Sequence, residues 1–357
     1  VTFGYMGASP GLMKLCADRG IGLTFLSPSG RFISRMQGQV RGNVLLRKAQ
    51  YGISDDATKS TMIARVCIAG KIQNYRNILR RYERDYGYVE EIENAVNVMD
   101  RAKRDVLNAT SKEQVRGLEG DAASCYFSVF PKLIVNQNAD FPFNGRNRRP
   151  PKDAVNAMLS LAYTLLTNDV TSALETVGLD PYVGFLHTMR PGRSSLALDI
   201  VEELRAYLGD RFVLSLINRK QITASDFLNQ GDEGVVLTEN GKKTFLTAWQ
   251  NRKKEAVTHP FFQEKIPVGL IPHAQAMLLA SGSSEDKSIN LENSEFATTL
   301  TAVNKPNLNP IKRNAIYNTG ILITILVIKM KVFFEMGTET QKSKKNGNAV
   351  EIERKEN

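Results

Sequence analysis

Residues 56–86 read DATKSTMIARVCIAGKIQNYRNILRRYERDY, and this uninterrupted stretch decides the fold class. Apolar residues recur three and four positions apart, as at Ile68, Ile72, Tyr75 and Leu79, with few turn-forming residues between them. That spacing is typical of an α-helix, because residues three and four apart share one helical face. The sequence therefore predicts a long helix here, near the start of a mainly helical body.

The rest of the body repeats the helical pattern. Long stretches rich in Ala, Leu, Arg and Glu follow residue 40, and they contain few turn signals. Pro150 and Pro151 precede one such stretch and Gly178 follows it, as expected where a helix begins and ends. FVLSLI at 212–217 and GVVLT at 234–238 have strand composition instead. The predicted helices, besides 56–86, cover 43–51, 88–108, 111–135, 153–177, 194–208 and 244–256.

The first 38 residues have a different character. VTFGY at 1–5 and IGLTFLS at 21–27 have strand composition, and SPGLMKLCADRG at 9–20 has the start and stop signals of a helix. RFISRMQG at 31–38 is predicted to be a third strand. Three strands and one helix make only part of a sheet domain, so the chain is expected to begin within such a domain.

Together these patterns predict an α+β protein in three parts. Residues 1–38 are the remnant of a truncated N-terminal β-rich domain, and residues 39–280 form a large α-helical domain. From about residue 281 the chain becomes polar and rich in Ser and Asn, and it ends in KSKKNGNAVEIERKEN. Such a composition buries too little apolar surface to fold, so 281–357 is predicted to be poorly ordered.

The composition is that of a soluble, cytoplasmic protein with a mild excess of positive charge. The 47 Lys and Arg residues against 37 Asp and Glu give a net charge of +10, which favours a polyanionic partner without requiring one. The cysteines, Cys16, Cys67 and Cys125, lack the spacing of a zinc site or disulfide framework, so a reducing compartment is expected. The longest apolar run, 321–328, is shorter than the roughly 20 residues of a membrane helix.

The stretch PYVGFLHTMRPGRSSLALDIVEEL at 181–204 sets one of only three histidines beside an acidic helix. Asp199, Glu202 and Glu203 fall on one face of that helix, because positions three and four apart are neighbours. A solvated face is the ordinary interpretation of such carboxylates. The apolar residues around His187 favour burial, however, and a buried histidine needs a hydrogen-bond partner or a metal.

A histidine with two or three carboxylates suits a hard divalent cation such as Mg²⁺ or Mn²⁺. A further ligand must come from elsewhere, and spacing alone does not choose among 37 acidic residues. VRGLEGDAA at 115–123 is a candidate, because Glu119 lies between two glycines near the start of an apolar helix. Alternatively, Glu119 is a first-turn glutamate that the helix dipole stabilises without any metal.

A second candidate site is FNGRNRRPPK at 143–152, called the basic loop below. Its cations crowd a segment that leads into a predicted helix N-terminus. Guanidinium groups and backbone amides in such a place can hold phosphate groups. The alternative is a solvated basic loop without a ligand. The candidate phosphate-binding residues are Arg146, Arg148, Arg149 and Lys152.

Four segments together resemble the CRISPR-associated integrase family, the endonuclease that inserts new spacers into a CRISPR array, and most closely its type I-C branch. They occur in the family's order within residues 1–280. The resemblance implies that residues 39–280 are a metal-dependent catalytic domain. The segments are GFLHTMRPGRSSLALDIVEELR, VRGLEGDAA, FNGRNRRPPKDAVNAMLSLAYTLL and SLINRKQI.

The resemblance also implies the site residues and partners. Glu119, His187 and Glu202 would be the catalytic metal ligands, Asp199 a supporting acid, and the cofactor Mg²⁺ or Mn²⁺. The basic loop would hold the backbone of double-stranded DNA, both spacer precursor and CRISPR repeat. The family further implies a homodimer that assembles with a small dimeric CRISPR-associated partner protein.

Two other functions fit the same residues. One is a noncatalytic DNA-binding scaffold with a degenerate site, and the other is a metal-dependent phosphoesterase that acts on small substrates. Members of the family have a further strand-rich stretch before the position of VTFGY. The resemblance of this chain to the family stops after about residue 280. Dimerisation and full integration are therefore expected to be impaired in this chain.

Overall fold

The protein is described by a computed structural model over residues 2–4, 7–19, 21–27, 32–36, 38, 44–137, 139–147, 149–259 and 261–283. Over these residues the fold is mainly helical with three small sheets, which confirms the predicted α+β class. No helix in this part of the chain is long and apolar enough to cross a membrane. The predicted tail lies outside the described residues, apart from 281–283 at the end of the last helix.

Ten α-helices make up most of the described structure. Side chains fix several of their ends: Asp56, for example, accepts hydrogen bonds from the amides of Thr58 and Lys59 at the start of the longest helix. The helices are α1 (Pro10–Asp18), α2 (Val44–Asp55), α3 (Ala57–Tyr86), α4 (Glu90–Asn108), α5 (Lys112–Val129), α6 (Ala154–Val177), α7 (Ser195–Leu204), α8 (Arg211–Asn218), α9 (Glu239–Lys254) and α10 (Ile271–Ser283).

The strands form one three-stranded sheet and two hairpin-like pairs. In the first sheet β1 lies parallel to β2, and β2 lies antiparallel to β3, so the three predicted strands pair in one sheet. β4 pairs with β5 and β6 with β7, both antiparallel. The strands are β1 (Thr2–Phe3), β2 (Leu23–Leu26), β3 (Phe32–Met36), β4 (Phe227–Asn229), β5 (Val235–Leu237), β6 (Ala256–Thr258) and β7 (Lys265–Pro267).

The N-terminal sheet is attached to the helical body through α6. Arg35 on β3 forms an ion pair with Glu175 on α6, and both side chains are largely buried. The backbone also approaches closely at Gly22, where an added Cβ would lie 2.4 Å from the Ser172 hydroxyl. The sheet therefore packs directly on the helices.

Helix α3 is the centre of the helical body. It packs against α4, α5 and α7, and the face that carries Ile68, Ile72, Tyr75 and Leu79 is fully buried. The same helix carries Lys71 into the interior with only 1% of its surface exposed. A lysine is almost never fully buried unless its charge is paired, so the partners of this ammonium group matter for the site.

One predicted strand is wrong. FVLSLI at 212–217 belongs to α8, which continues a π-helical turn over 205–210 that itself follows α7. All residues of 212–217 except Ser215 are buried. The run of apolar residues therefore reflects a buried helix, which periodicity in a short run does not distinguish from a buried strand. The strand predicted at 234–238 is confirmed as β5.

Candidate active site

Asp199, in the first turns of α7, organises the turn that carries the predicted histidine. Its Oδ2 accepts hydrogen bonds from the backbone amides of Phe185 at 2.6 Å and Leu186 at 3.0 Å. Its Oδ1 accepts from the amide of His187 at 3.0 Å. The carboxylate is fully buried, so these amides replace the water that it lost. The acidic helix therefore does not present a solvated face.

Only glycine fits at the start of this turn. A Cβ on Gly184 would lie 2.8 Å from Asp199 Oδ2 and 2.8 Å from the carbonyl carbon of Ser195. The absence of a side chain lets the backbone of the turn pass directly over α7, which brings consecutive amides onto one carboxylate.

Neighbouring helices hold the same turn from outside. From α2, Gln50 Nε2 donates to the carbonyls of Asp180 and Val183, each at 2.8 Å, and the Ser54 hydroxyl donates to the carbonyl of Gly184 at 2.8 Å. From α5, Arg116 Nη2 donates to the carbonyl of Leu186 at 2.5 Å. Three helices thus fix where the imidazole lies.

The His187 ring is oriented by Asp199. Its Nδ1 lies 2.6 Å from Asp199 Oδ1, and a carboxylate there accepts, so Nδ1 carries a proton and Nε2 is the ring nitrogen that a metal could use. Nε2 lies 3.9 Å from Glu202 Oε1. The His187 side chain is 20% exposed, so one edge of the ring reaches solvent.

Glu202 is buried between two cations. Arg205 Nη2 lies 2.8 Å from its Oε1, and Lys71 Nζ lies 2.6 Å from its Oε2. Burial alone would raise the pKa of Glu202, but the charges of Arg205 and Lys71 outweigh it and lower the pKa to about 2. Glu202 is therefore ionised at any physiological pH.

Glu119 joins the same pocket through Lys71. Lys71 Nζ forms a second ion pair with Glu119 Oε1, while Glu119 keeps 28% of its side chain exposed. Glu119 lies well inside α5, which begins at Lys112, so it is not a first-turn residue facing the helix dipole. The pocket formed by Glu119, His187, Asp199 and Glu202 with Lys71 and Arg205 is called the acidic pocket below.

The predicted ligands converge only in part. His187 and Glu202 face each other, whereas Glu119 reaches Glu202 through the ammonium group of Lys71. Among the described residues, no three His, Cys, Asp or Glu side chains lie close enough together to hold a metal ion. The ligand set therefore stays a prediction, and Lys71 is the group that separates two of its members.

Half-buried Tyr163 and buried Asp210 lie next to Arg205 of the pocket. The Tyr163 hydroxyl donates to Asp210, which is fully buried in the π-helical turn. The Arg205 guanidinium lies 4.6 Å from the centre of the Tyr163 ring, and that of Arg146 lies 5.2 Å from it. Burial raises the pKa of Asp210 to about 6, although the Tyr163 hydrogen bond and the Arg205 charge act against it.

The basic loop divides into inward and outward cations. Arg146 turns inward, where Nη1 donates to Asn156 Oδ1 at 2.6 Å and Nη2 to the Ser160 hydroxyl at 3.2 Å. Arg149 and Lys152 are exposed. Arg148 lies outside the described residues.

The helix end beside the basic loop is already capped. The Asp153 carboxylate accepts from the amide of Asn156 at 2.7 Å, so an acidic side chain occupies the N-terminus of α6 that was expected to hold phosphate. The predicted phosphate contacts of this loop therefore rest on its exposed cations rather than on the helix N-terminus.

Two residues of the acidic pocket escaped the sequence prediction. Lys71 and Arg205 both contact Glu202. Arg205 directly follows α7, whereas Lys71 lies far from every predicted ligand in the sequence. A signal for Lys71 did exist, because it is a lone charge inside the apolar run VCIAGKI. Charges rarely enter a buried helical face without a partner, so this lysine pointed to a buried acid.

Comparison with known proteins places the chain in a family. The model of the family described as CRISPR associated protein Cas1 matches residues 1–251. The chain belongs to the Cas1 family. A CRISPR-associated endonuclease Cas1 of Chlorobaculum tepidum is 50% identical over 283 residues, which are 78% of this chain and 82% of that protein. One from Rhodospirillum rubrum is 49% identical over 287 residues, 78% of this chain and 83% of that protein.

Solved structures share the Cas1 fold. A Cas1 protein from Thermotoga maritima aligns with a TM-score of 0.67 at 23% identity, over 80% of this chain and 86% of that one. A casposase bound to integration product aligns with a TM-score of 0.68 at 21% identity, over 88% and 84% of the two chains. At such identities the likeness concerns the fold. The predicted family and fold class are thereby confirmed.

Proposed function

We propose that this Cas1 family member is a metal-dependent DNA endonuclease and integrase that inserts spacer DNA into a CRISPR array by phosphoryl transfer. The observation that carries the proposal is the acidic pocket, where two helices, α5 and α7, and one turn carry Glu119, Glu202 and His187 to the surroundings of Lys71. The names of the relatives, which are CRISPR-associated endonucleases, support the activity. The casposase bound to integration product, which shares the fold, supports the integrase reaction.

The donor groups of the acidic pocket fit Mg²⁺ or Mn²⁺. Glu119 and Glu202 offer carboxylate oxygens, which hard cations prefer, and His187 offers one imidazole nitrogen, which Mn²⁺ accepts more readily. Both glutamates already bind one shared positive charge, the ammonium group of Lys71. A divalent ion held there would polarise a phosphate oxygen and promote attack by water or by the 3′-hydroxyl of an incoming DNA strand.

The protein groups prepare this site in three ways. Asp199 fixes the Nδ1 proton of His187, which leaves Nε2 available as a ligand, so His187 acts as a ligand rather than a general base. The low pKa of Glu202 keeps its carboxylate ionised without a metal. The exposed edge of Glu119 leaves room for a phosphate group to approach from solvent.

Double-stranded DNA is the proposed substrate, and the basic loop is a proposed contact to it. Arg149 and Lys152 are exposed, so their charges are available to the phosphate backbone, and contacts to phosphate carry no sequence information. Arg146 and Arg148 stay predicted contacts. The net charge of +10 favours the same polyanion.

The proposed assembly is a homodimer with a small dimeric partner protein. A solved Cas6-RT-Cas1–Cas2 complex supports the partner protein, because a chain of that complex has the same fold, with a TM-score of 0.64 at 22% identity over 79% of this chain and 30% of that one. The homodimer stays a prediction from the family resemblance. By analogy, a Cas2-type protein is the proposed partner.

The central test is cleavage and strand transfer on a DNA duplex with Mn²⁺ present or chelated. Glu119→Ala, His187→Ala and Glu202→Ala are each expected to lower the Mn²⁺-dependent rate by roughly 100-fold or more, because each removes a ligand. Glu113→Ala is the matched control: it removes an exposed glutamate from the same helix as Glu119 and should leave the rate unchanged.

The outcomes separate the three candidate functions. Near-normal cleavage by any one ligand variant would remove that residue from the site. A noncatalytic scaffold predicts that Mn²⁺ changes neither cleavage nor thermal stability. A small-substrate phosphoesterase predicts hydrolysis of simple phosphodiesters together with DNA binding that does not depend on salt.

A further inference from the structure

Lys71 is the only described cation that bonds to two of the proposed metal ligands. Its ammonium group pairs with Glu119 Oε1 and, at 2.6 Å, with Glu202 Oε2. We infer that Lys71 is an internal cation that occupies the metal-free pocket and competes with the divalent ion for Glu119 and Glu202. This inference rests on the proposed function, because it concerns the same ligands.

The competition follows from how the oxygens of Glu202 are used. Arg205 contacts Oε1 at 2.8 Å and Lys71 contacts Oε2 at 2.6 Å, so both oxygens already face a positive charge. A divalent ion that binds Glu202 and Glu119 together must enter the space between them. That space holds the Lys71 ammonium, and two like charges do not share it in a buried pocket.

Of the two cations, Lys71 is the one that can leave. Besides its ion pair with Glu202, Arg205 lies 4.6 Å from the centre of the Tyr163 ring, and this second contact holds it in place. Lys71 is a compact charge on a flexible four-carbon chain. The centre of the Tyr75 ring, 5.6 Å from Nζ, offers an electron-rich face toward which the ammonium can swing while staying within the protein.

This arrangement gives the metal-free protein a stable pocket. Without Lys71, two carboxylates would lie close together with Arg205 as the remaining partner that contacts Glu202, and unpaired buried charges are strongly destabilising. The same pairing weakens metal binding, because the ion must break two ion pairs before it gains its ligands. The charge of Lys71 therefore raises the stability of the protein without metal and lowers its affinity for the metal.

The test measures Mn²⁺ affinity by titration calorimetry and melting temperature on the full chain without DNA. Lys71→Met, which keeps the length but not the charge, is expected to bind Mn²⁺ about tenfold more tightly than wild type. Its metal-free form should melt at a lower temperature, and saturating Mn²⁺ should raise that temperature more than in wild type. Lys71→Arg, which keeps the charge, should bind Mn²⁺ no more tightly than wild type.

Lys103→Met is the matched control. Lys103 is a half-buried lysine that contacts Gln73 of α3 outside the acidic pocket, so its loss should leave Mn²⁺ affinity unchanged. If Lys71→Met is too unstable to titrate, the wild-type protein still decides: the side-chain nitrogen resonance that Lys71→Arg lacks should shift when Mg²⁺ saturates the site.

The results distinguish this inference from the proposed function. Wild-type Mn²⁺ binding that depends on Glu119, His187 and Glu202, together with equal or weaker binding by folded Lys71→Met, overturns the inference and leaves the metal site intact. An unmoved Lys71 resonance at saturating Mg²⁺ does the same. Absence of Mn²⁺ binding in both wild type and Lys71→Met overturns the proposed metal site as well.

Discussion

The acidic pocket and the basic loop are both clusters of charge, but they use that charge differently. In the pocket, Asp199 and Glu202 are buried, and both carboxylates accept short hydrogen bonds from named donors. In the loop, Arg149 and Lys152 are exposed. A buried charge must be committed to a partner within the fold, whereas an exposed one remains available to a ligand. Chemistry is therefore expected in the pocket and nonspecific binding at the loop.

Tyr163 is where the two regions meet. Arg205 of the pocket and Arg146 of the loop both lie over its ring, and its hydroxyl bonds to Asp210. Gly209 permits this contact, because a Cβ there would lie 2.8 Å from the ring of Tyr163. Arg146 thus belongs structurally to the pocket side, although the sequence groups it with the loop.

The largest expected effect is at Asp199. Asp199→Ala would leave three backbone amides and the His187 ring without their acceptor, so the free energy of unfolding should fall by about 3–5 kcal/mol. Chemical denaturation measures this directly. Glu113→Ala, on an exposed surface, should change it by less than about 0.5 kcal/mol. A loss below 1 kcal/mol at Asp199 would mean that the turn is held mainly by Gln50 and Ser54.

The next effect is a pH dependence that Asp210 introduces. Its pKa is about 6 in the folded protein and near 4 when unfolded, so the folded state binds the extra proton between these values. Its contribution to stability is therefore present at low pH and is lost as pH rises from about 4 to about 6, roughly 3 kcal/mol in all. In Asp210→Asn the free energy of unfolding should no longer fall over this pH range because of residue 210.

The measurement for Asp210 is the difference in unfolding free energy between Asp210→Asn and wild type across pH 4 to 7. That difference should move in favour of Asp210→Asn as pH rises. A difference that stays constant with pH would show that Asp210 titrates normally and is open to water.

A smaller loss of stability is expected at Arg146, which unlike Arg149 and Lys152 faces inward. Arg146→Ala removes hydrogen bonds to buried Asn156 and to Ser160, so the free energy of unfolding should fall by about 1–2 kcal/mol. Thermal and chemical unfolding both report this loss. Unchanged stability together with weaker DNA binding would place Arg146 among the phosphate contacts instead.

The smallest effect on stability is expected at the outward cations. Arg149→Ala combined with Lys152→Ala should leave the free energy of unfolding within about 0.5 kcal/mol of wild type. The same variant should lower the slope of log affinity for DNA against log salt by roughly 2, about 0.9 for each phosphate contact. The loss should be similar for unrelated DNA sequences, and loss confined to selected sequences would indicate base readout.

Much of the fold could be predicted because helical periodicity is a local property. The face of Ile68, Ile72, Tyr75 and Leu79 identified α3, and that face is buried. The prediction failed at 212–217, where a short apolar run fits a buried strand and a buried helix equally well. Packing of this run against α6, which no local pattern encodes, accompanies its helical structure.

The candidate site shows the same division. Asp199 and Glu202 share a helical face by spacing alone, and His187 lies close by in sequence, so their proximity was predictable. Glu119 could be assigned only through the family resemblance, because its approach to Glu202 depends on how α5 packs against α3. Lys71 escaped the prediction although it was visible as a lone charge in an apolar run.

The sequence by itself determined the mainly helical body, the strands of the N-terminal segment, the family and the identity of the carboxylates on α7. Each of these depends on residue type and on spacing along the chain. Only the tertiary structure decided that Asp199 accepts three amides of the turn, that Arg146 faces inward, and that Lys71 lies between Glu119 and Glu202. The reason is that a charge chooses its partner by distance and burial, and both are set by helices that are far apart in the chain.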